Sequence, residues 1–288
     1  MEYGEGNAGR LGEHPDSAAF FVFTRTFGQK GGMILATGIV HSVETMGMVD
    51  GPGIRTVVFL QGCSLRCLFC HNPDTWNRNS KDAQEVSPQE LVRRILRFRP
   101  YFGSNGGVTF SGGEPLLQPE FLLETLRLCR NAGIHTCLDT AGCGMGGYEK
   151  ILQYTDLVLY DVKQITEEGY RKMTGRGWEE TGRFLQAVRK AGTPMWVRQV
   201  VVPGLTDGEA YMTALQAFIR DHVPNVQKVE LLPYHLLGVH KYAALGLPYP
   251  LHGVPAMEPE KVQKWQETYF SNPDSFTKNP KNQRRTSK

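Results

Sequence analysis

Between positions 56 and 232 six short runs rich in β-branched and aromatic residues alternate with amphipathic stretches of helical period. Strand–helix alternation of that kind builds a parallel sheet with helices on its faces. The expected strands are 56–61, 108–111, 135–139, 157–161, 195–202 and 227–232. Ser87-Pro88-Gln89-Glu90 is a capping box with proline at the first helical position, opening a helix that runs to about Arg99. Further helices cover 120–132, stopping at Gly133, and 180–191, stopping at Gly192. Stretches 207–220 and 258–270 complete the set. Six units are two short of a closed eight-unit barrel, so the expected fold is α/β: an incomplete (β/α)6 TIM-like barrel of parallel strands, open on one side, with its active site at the strand carboxyl ends.

The residues at those ends fit this expectation. The first strand runs into Gly62 and a cysteine loop, and the second into Gly112-Gly113-Glu114-Pro115. The third ends at Asp139-Thr140 and the fourth at Asp161-Val162-Lys163, the fifth carries Arg198, and the sixth runs into Pro233-Tyr234-His235. Turn chemistry accounts for the glycines and prolines. It does not account for a repeated supply of charge on one face.

The cysteine loop reads Gly62-Cys63-Ser64-Leu65-Arg66-Cys67-Leu68-Phe69-Cys70-His71-Asn72, a C-x3-C-x2-C spacing that puts three thiolates on one short segment. A disulfide would leave one of the three unpaired. Zinc with His71 as fourth ligand would need the adjacent Cys70 and His71 to point at one ion, against the spacing usual in zinc motifs. An iron–sulfur cluster with one iron free of protein is the reading that uses all three thiolates and leaves a position open for chemistry. Cys129, Cys137 and Cys143 lie on a helix, a strand and a loop without cluster spacing, and read as small buried hydrophobes or surface thiols.

Composition narrows the partners. Net charge is +3, from 32 basic and 29 acidic residues, and the chain beyond Tyr269 holds five basic residues against one acid. The body is therefore near neutral, which speaks against a nucleic-acid surface. No apolar run approaches the ~20 residues that span a bilayer, and no signal-peptide pattern opens the chain, so a cytoplasmic protein with no membrane partner is expected. Residues 1–32 are expected to be a poorly ordered extension, 33–270 the folded domain, and 271–288 a basic, polar, disordered tail.

Taken together, the C-x3-C-x2-C loop after the first strand and Gly112-Gly113-Glu114 after the second resemble the radical S-adenosylmethionine superfamily. More narrowly, Asp50-Gly51-Pro52-Gly53-Ile54-Arg55, followed by Phe59, Gly62 and the three cysteines, resembles the signature of glycyl-radical activating enzymes. His135-Thr136-Cys137-Leu138-Asp139-Thr140, Asp161-Val162-Lys163-Gln164 and Leu231-Leu232-Pro233-Tyr234-His235 extend the likeness, which covers about 39–270. Thr140-Ala141-Gly142 departs from the Thr-Asn-Gly of that family. The resemblance implies a [4Fe–4S] cluster held by Cys63, Cys67 and Cys70, with S-adenosylmethionine on the fourth iron. One electron then cleaves the sulfonium, and the resulting 5′-deoxyadenosyl radical takes hydrogen from a glycine Cα of a partner protein. It implies a cofactor site made by Phe69, Cys70, His71, Gly112, Gly113, Glu114, Asp139, Asp161, Val162, Lys163, Arg198 and His235. Asp139, Thr140 and Asp161 would add a monovalent-cation site. A flavodoxin or ferredoxin-type protein would donate the electron to a monomeric enzyme. The partner it implies is pyruvate formate-lyase, since no inserted ferredoxin-like segment with further cysteine clusters is present. An activase for another glycyl-radical enzyme, a small-molecule enzyme of the deazaguanine-synthase type and a plain electron carrier are the alternatives. Arg55 and the stretch 72–79 are expected on the rim where the partner enters.

Overall fold

The computed structural model of the chain describes residues 36–277. These carry one eight-stranded sheet in the order β3-β1-β2-β4-β5-β6-β7-β8. The strands are β1 (Gly38–Gly47), β2 (Arg55–Leu60), β3 (Gln84–Val86), β4 (Gly107–Gly112), β5 (His135–Thr140), β6 (Leu157–Asp161), β7 (Met195–Val201) and β8 (Val226–Pro233). From β2 to β8 all neighbours are parallel. These six are the strands expected from the sequence. β1 and β3 are additions, antiparallel to their neighbours, extending the β2 edge. The sheet does not close, and β3 and β8 are its two edges. Among the described residues no helix is long and apolar enough to cross a membrane.

The α-helices are α1 (Pro88–Leu96), α2 (Pro119–Asn131), α3 (Tyr148–Leu152), α4 (Glu167–Thr174), α5 (Glu179–Ala191), α6 (Glu209–His222), α7 (Val239–Ala244) and α8 (Pro259–Phe270). The expected capping box starts α1: Ser87 Oγ accepts from Glu90 N at 3.3 Å. α3, α4 and α7, of five, eight and six residues, lie outside the sequence reading because each is too short to show helical periodicity. Outward-pointing strand residues such as Phe110, Leu138, Tyr160 and Val197 are buried with Leu126, Phe184 and Leu215 of the helices. That apolar layer holds the sheet and leaves its inward positions free for polar side chains.

The ordered chain also continues past Phe270. A 3-10 turn at Pro273–Ser275 seats Phe276, only 2% exposed, beside Phe270 at 6.3 Å. Residues 271–277 of the expected tail are thus described, while residues 1–32 and 278–288, expected to be an extension and a tail, lie outside the described residues.

Candidate active site

The parallel register sets the site. Asp161 of β6 stands beside Arg198 of β7, and the inward positions Ser111, Asp139, Asp161, Arg198 and Val200 reach one pocket of about 320 Å³. Cys63, Cys67, Cys70 and Glu114 line the same pocket.

Two elements grip the cysteine loop. The end of β4 holds it from one side, with Gly113 N donating to Leu60 O at 2.9 Å and Glu114 N to Gly62 O at 2.8 Å. A Cβ on Gly113 would lie 2.2 Å from Gly62 O, so only glycine permits this approach. The requirement comes from the chain itself rather than from a bound molecule. The carboxyl end of α4 holds the other side, where Arg66 N donates to Thr174 O at 2.8 Å and Leu68 N to Met173 O at 3.0 Å.

All three loop cysteines are free thiols. Burial pushes each thiol upward, that of Cys67 to about 12, while Lys163 pulls Cys67 and Cys70 back. Buried thiols of this kind remain protonated until a metal replaces the protons. Among the described residues no three His, Cys, Asp or Glu groups converge to hold one ion. Each thiolate of a cluster binds a different iron, so three thiols spread along one loop need not converge on a point. The donor set therefore suits an iron–sulfur group.

Glu114 is fully enclosed and largely committed. Its carboxylate accepts from Thr140 Oγ1 at 2.6 Å, Leu116 N at 3.2 Å and Ala141 N at 3.1 Å. Burial nevertheless lifts its pKa to about 7 against those bonds. The backbone of Cys143 is a fourth partner, so the about four acceptor positions of the carboxylate are taken.

The charged side chains form one chain of contacts. Arg198 pairs through Nη2 with Asp139 Oδ1 and through Nε with Asp161 Oδ1 at 3.0 Å, and Lys163 Nζ meets Asp161 Oδ2 at 2.9 Å. Ser111 Oγ donates to Asp139 Oδ2 at 2.6 Å. Burial dominates at Asp139 and raises its pKa, whereas at Asp161 Arg198 and Lys163 together outweigh burial and hold it low. Of the expected cation set, Asp139 and Asp161 face Arg198 and Lys163 here, and Thr140 Oγ1 donates to Glu114.

Most of the expected cofactor residues line the pocket: Phe69, Cys70, His71, Gly112, Gly113, Glu114, Asp139, Asp161, Lys163 and Arg198. Two do not. Val162 is buried in the apolar layer, 2% exposed, and His235 is exposed on the rim, its ring stacked on His71 at 4.0 Å. The pocket adds Asp50, Phe59, Ser111, Trp76 and Leu232. The signal for Ser111 was the two-residue strand period, which puts it on the same face as Thr109.

Arg55 departs from its expected place on the rim. It is 0% exposed and donates to Thr109 Oγ1 at 2.7 Å, Val108 O at 2.7 Å and Pro52 O at 2.9 Å. Gly53, at φ 67°, lets the loop 50–55 fold against the chain at Asn105 and Gly106, where a Cβ would fall within 2.8 Å. The signature therefore builds an internal plug at the amino end of β2, with Asp50 facing the pocket from it.

A sequence profile of the Radical SAM superfamily matches residues 57–217. The pyruvate formate-lyase-activating enzyme of Clostridium pasteurianum is 53% identical over 234 residues, covering 81% of this chain and 97% of that protein. The enzyme of the same name from Staphylococcus epidermidis is 45% identical over 235 residues, 79% of this chain and 93% of that protein. Among solved structures, a radical SAM methyltransferase from Sphaerobacter thermophilus superposes with a TM-score of 0.53 at 15% identity, over 74% of this chain and 62% of that one. Streptococcus suis SuiB bound to S-adenosylmethionine gives 0.51 at 14% identity, over 72% and 44%. These two are likenesses of fold alone. On the profile and the two close relatives, the chain belongs to the radical SAM superfamily and, within it, to the family of pyruvate formate-lyase-activating enzymes.

Proposed function

We propose that this protein activates pyruvate formate-lyase by reductive cleavage of S-adenosylmethionine and formation of a glycyl radical on that partner. The observation that carries the reading is the meeting of three free thiols with Lys163 and Arg198 in one strand-end pocket, in a chain 45–53% identical to activating enzymes. The family's cofactors are a [4Fe–4S] cluster and S-adenosylmethionine. Cys63, Cys67 and Cys70 would hold the cluster, which supplies the electron that breaks the sulfonium C5′–S bond.

The chain's own groups bind, orient and shield. Lys163, fixed by Asp161 and 5.4 Å from the Phe69 ring, and Arg198, fixed by both aspartates, are donors for the carboxylate or ribose of S-adenosylmethionine. Asp139 and Asp161 act through the two cations they hold. Phe59, Phe69 and Leu232 keep that end of the pocket dry. A polypeptide substrate enters where the sheet fails to close, past His71 and His235. A flavodoxin or ferredoxin-type protein supplies the electron to a monomeric, cytoplasmic enzyme.

The test is electron paramagnetic resonance of pyruvate formate-lyase after anaerobic incubation with the reconstituted protein, reductant and S-adenosylmethionine. A glycine-centred signal with one 5′-deoxyadenosine per radical is expected. A silent partner, with another glycyl-radical enzyme responding, would move the assignment to that enzyme.

A further inference from the structure

Three exposed arginines border the cysteine loop. Arg66 donates from Nη1 to the carbonyls of Cys63 and Leu65, both at 2.8 Å, and Arg176 Nε donates to Ser64 O at 3.2 Å. The stem of Arg78 lies 3.8 Å from where a Cβ on Gly62 would be. All three are exposed. Among the described residues none of them is in an ion pair, whereas Arg94, Arg171, Lys172 and Arg183 each meet a carboxylate one turn away. Positive charge is thus left open over residues 62–66.

A second feature ties this patch to the thiols. The Arg66 guanidinium sits 4.8 Å from the centroid of the Trp76 ring. The carbonyl of Trp76 accepts from Cys63 N at 3.3 Å, and Trp76 lines the same pocket as Cys70. Tyr242 meets Trp76 edge-on at 5.8 Å and donates its hydroxyl to Cys70 O at 3.1 Å. One indole therefore lies between Arg66 and the pocket that the thiols line.

We propose that Arg66, Arg78 and Arg176, bordering the cysteine loop with Arg66 over Trp76, are the docking face for an acidic one-electron carrier protein. This rests on the proposed function, which consumes one electron for each S-adenosylmethionine cleaved and has no source for it within the chain. The carrier is oxidised by one electron, the electron arrives behind Cys70, and no proton or group moves with it. Charge complementarity selects an acidic partner and speeds its encounter. The guanidiniums lie outside the pocket that the thiols line, so a docked carrier leaves the pocket to the polypeptide.

The test uses the iron–sulfur-loaded protein, a reduced acidic flavodoxin as carrier, and photoreduced deazaflavin as a small uncharged reductant. The variant is Arg78→Glu; Arg66 and Arg176 are kept because both donate to carbonyls of the cysteine loop. At low salt the flavodoxin dissociation constant, read by calorimetry, is expected to rise about tenfold or more and the rate of reduction to fall with it. Cleavage driven by deazaflavin should be unchanged, and Arg78→Gln should give an intermediate loss of affinity. Unchanged flavodoxin affinity and rate would overturn the docking face and leave the proposed function standing. An equal loss of glycyl-radical formation with deazaflavin would also overturn it, assigning the patch to the polypeptide substrate. No cleavage by the unaltered protein with deazaflavin would overturn the proposed function and this face with it.

Discussion

Cys63, Cys67 and Cys70 stand in one pocket while Cys129 and Cys137 are fully buried elsewhere. Replacing any of the first three by serine should abolish the cluster, read as iron content and visible absorbance after anaerobic reconstitution; the same change at Cys129 or Cys137 should leave it in place. Cys143 packs with Leu65 and Cys67 and lies 3.6 Å from Ser64 Oγ, so it touches the loop without belonging to it. Cys143→Ser should keep the cluster. At Asp161 the prediction is energetic. Asp161→Asn leaves Lys163 without its carboxylate in a buried position and should cost on the order of 3–5 kcal/mol in urea unfolding, with weaker S-adenosylmethionine binding. Unchanged stability and affinity would reduce Asp161 to a strand terminus. Glu114 gives a pH test. Its folded pKa of about 7 exceeds the ordinary value of 4.5, so its contribution is complete below about 4.5 and is lost as pH rises through about 7. Metal-free protein should therefore lose stability between about pH 5 and 8, and Glu114→Gln should lose less over the same range. Equal urea-midpoint shifts in the two proteins would contradict this.

At the scale of elements, the cysteine loop is positioned by partners far apart in sequence: the end of β4 and the last turn of α4. The β4 contact was legible, because Gly112-Gly113-Glu114 announced itself at a strand end. The α4 contact was not, since an eight-residue helix has too few turns to reveal a period and its role lies in two backbone carbonyls that carry no side-chain signal. Arg55 shows a different failure. A charged residue beside Gly-Pro-Gly reads as a surface turn, yet backbone carbonyls around β4 satisfy its donors and let it be buried. Arg55→Ala should accordingly cost about 2–5 kcal/mol, since it opens a cavity and strands buried acceptors. Radical formation should fall in proportion to folded protein. A selective loss of partner activation at full stability, measured by denaturant titration beside the activity, would return Arg55 to the rim.

At the scale of the molecule, the six parallel strands and their carboxyl-end site followed from strand–helix alternation, because each buried strand needs a covering helix and the helices impose parallel neighbours. The antiparallel β1 and β3 did not follow: β1 is half exposed over much of its length and β3 has three residues, so neither shows a buried run. The ion-pair chain through Arg198 was half legible, as charge at consecutive strand ends, but its pairing depends on the register that sets Asp161 beside Arg198. The chemistry proposed for this open strand-end site is hydrogen abstraction from a partner glycine. Its most direct measurement is mass spectrometry of 5′-deoxyadenosine formed with pyruvate formate-lyase whose glycines carry deuterium at Cα. One deuterium per 5′-deoxyadenosine, matching the radical count on the partner, is the predicted result; 5′-deoxyadenosine free of deuterium beside an unlabelled, radical-free partner would contradict it.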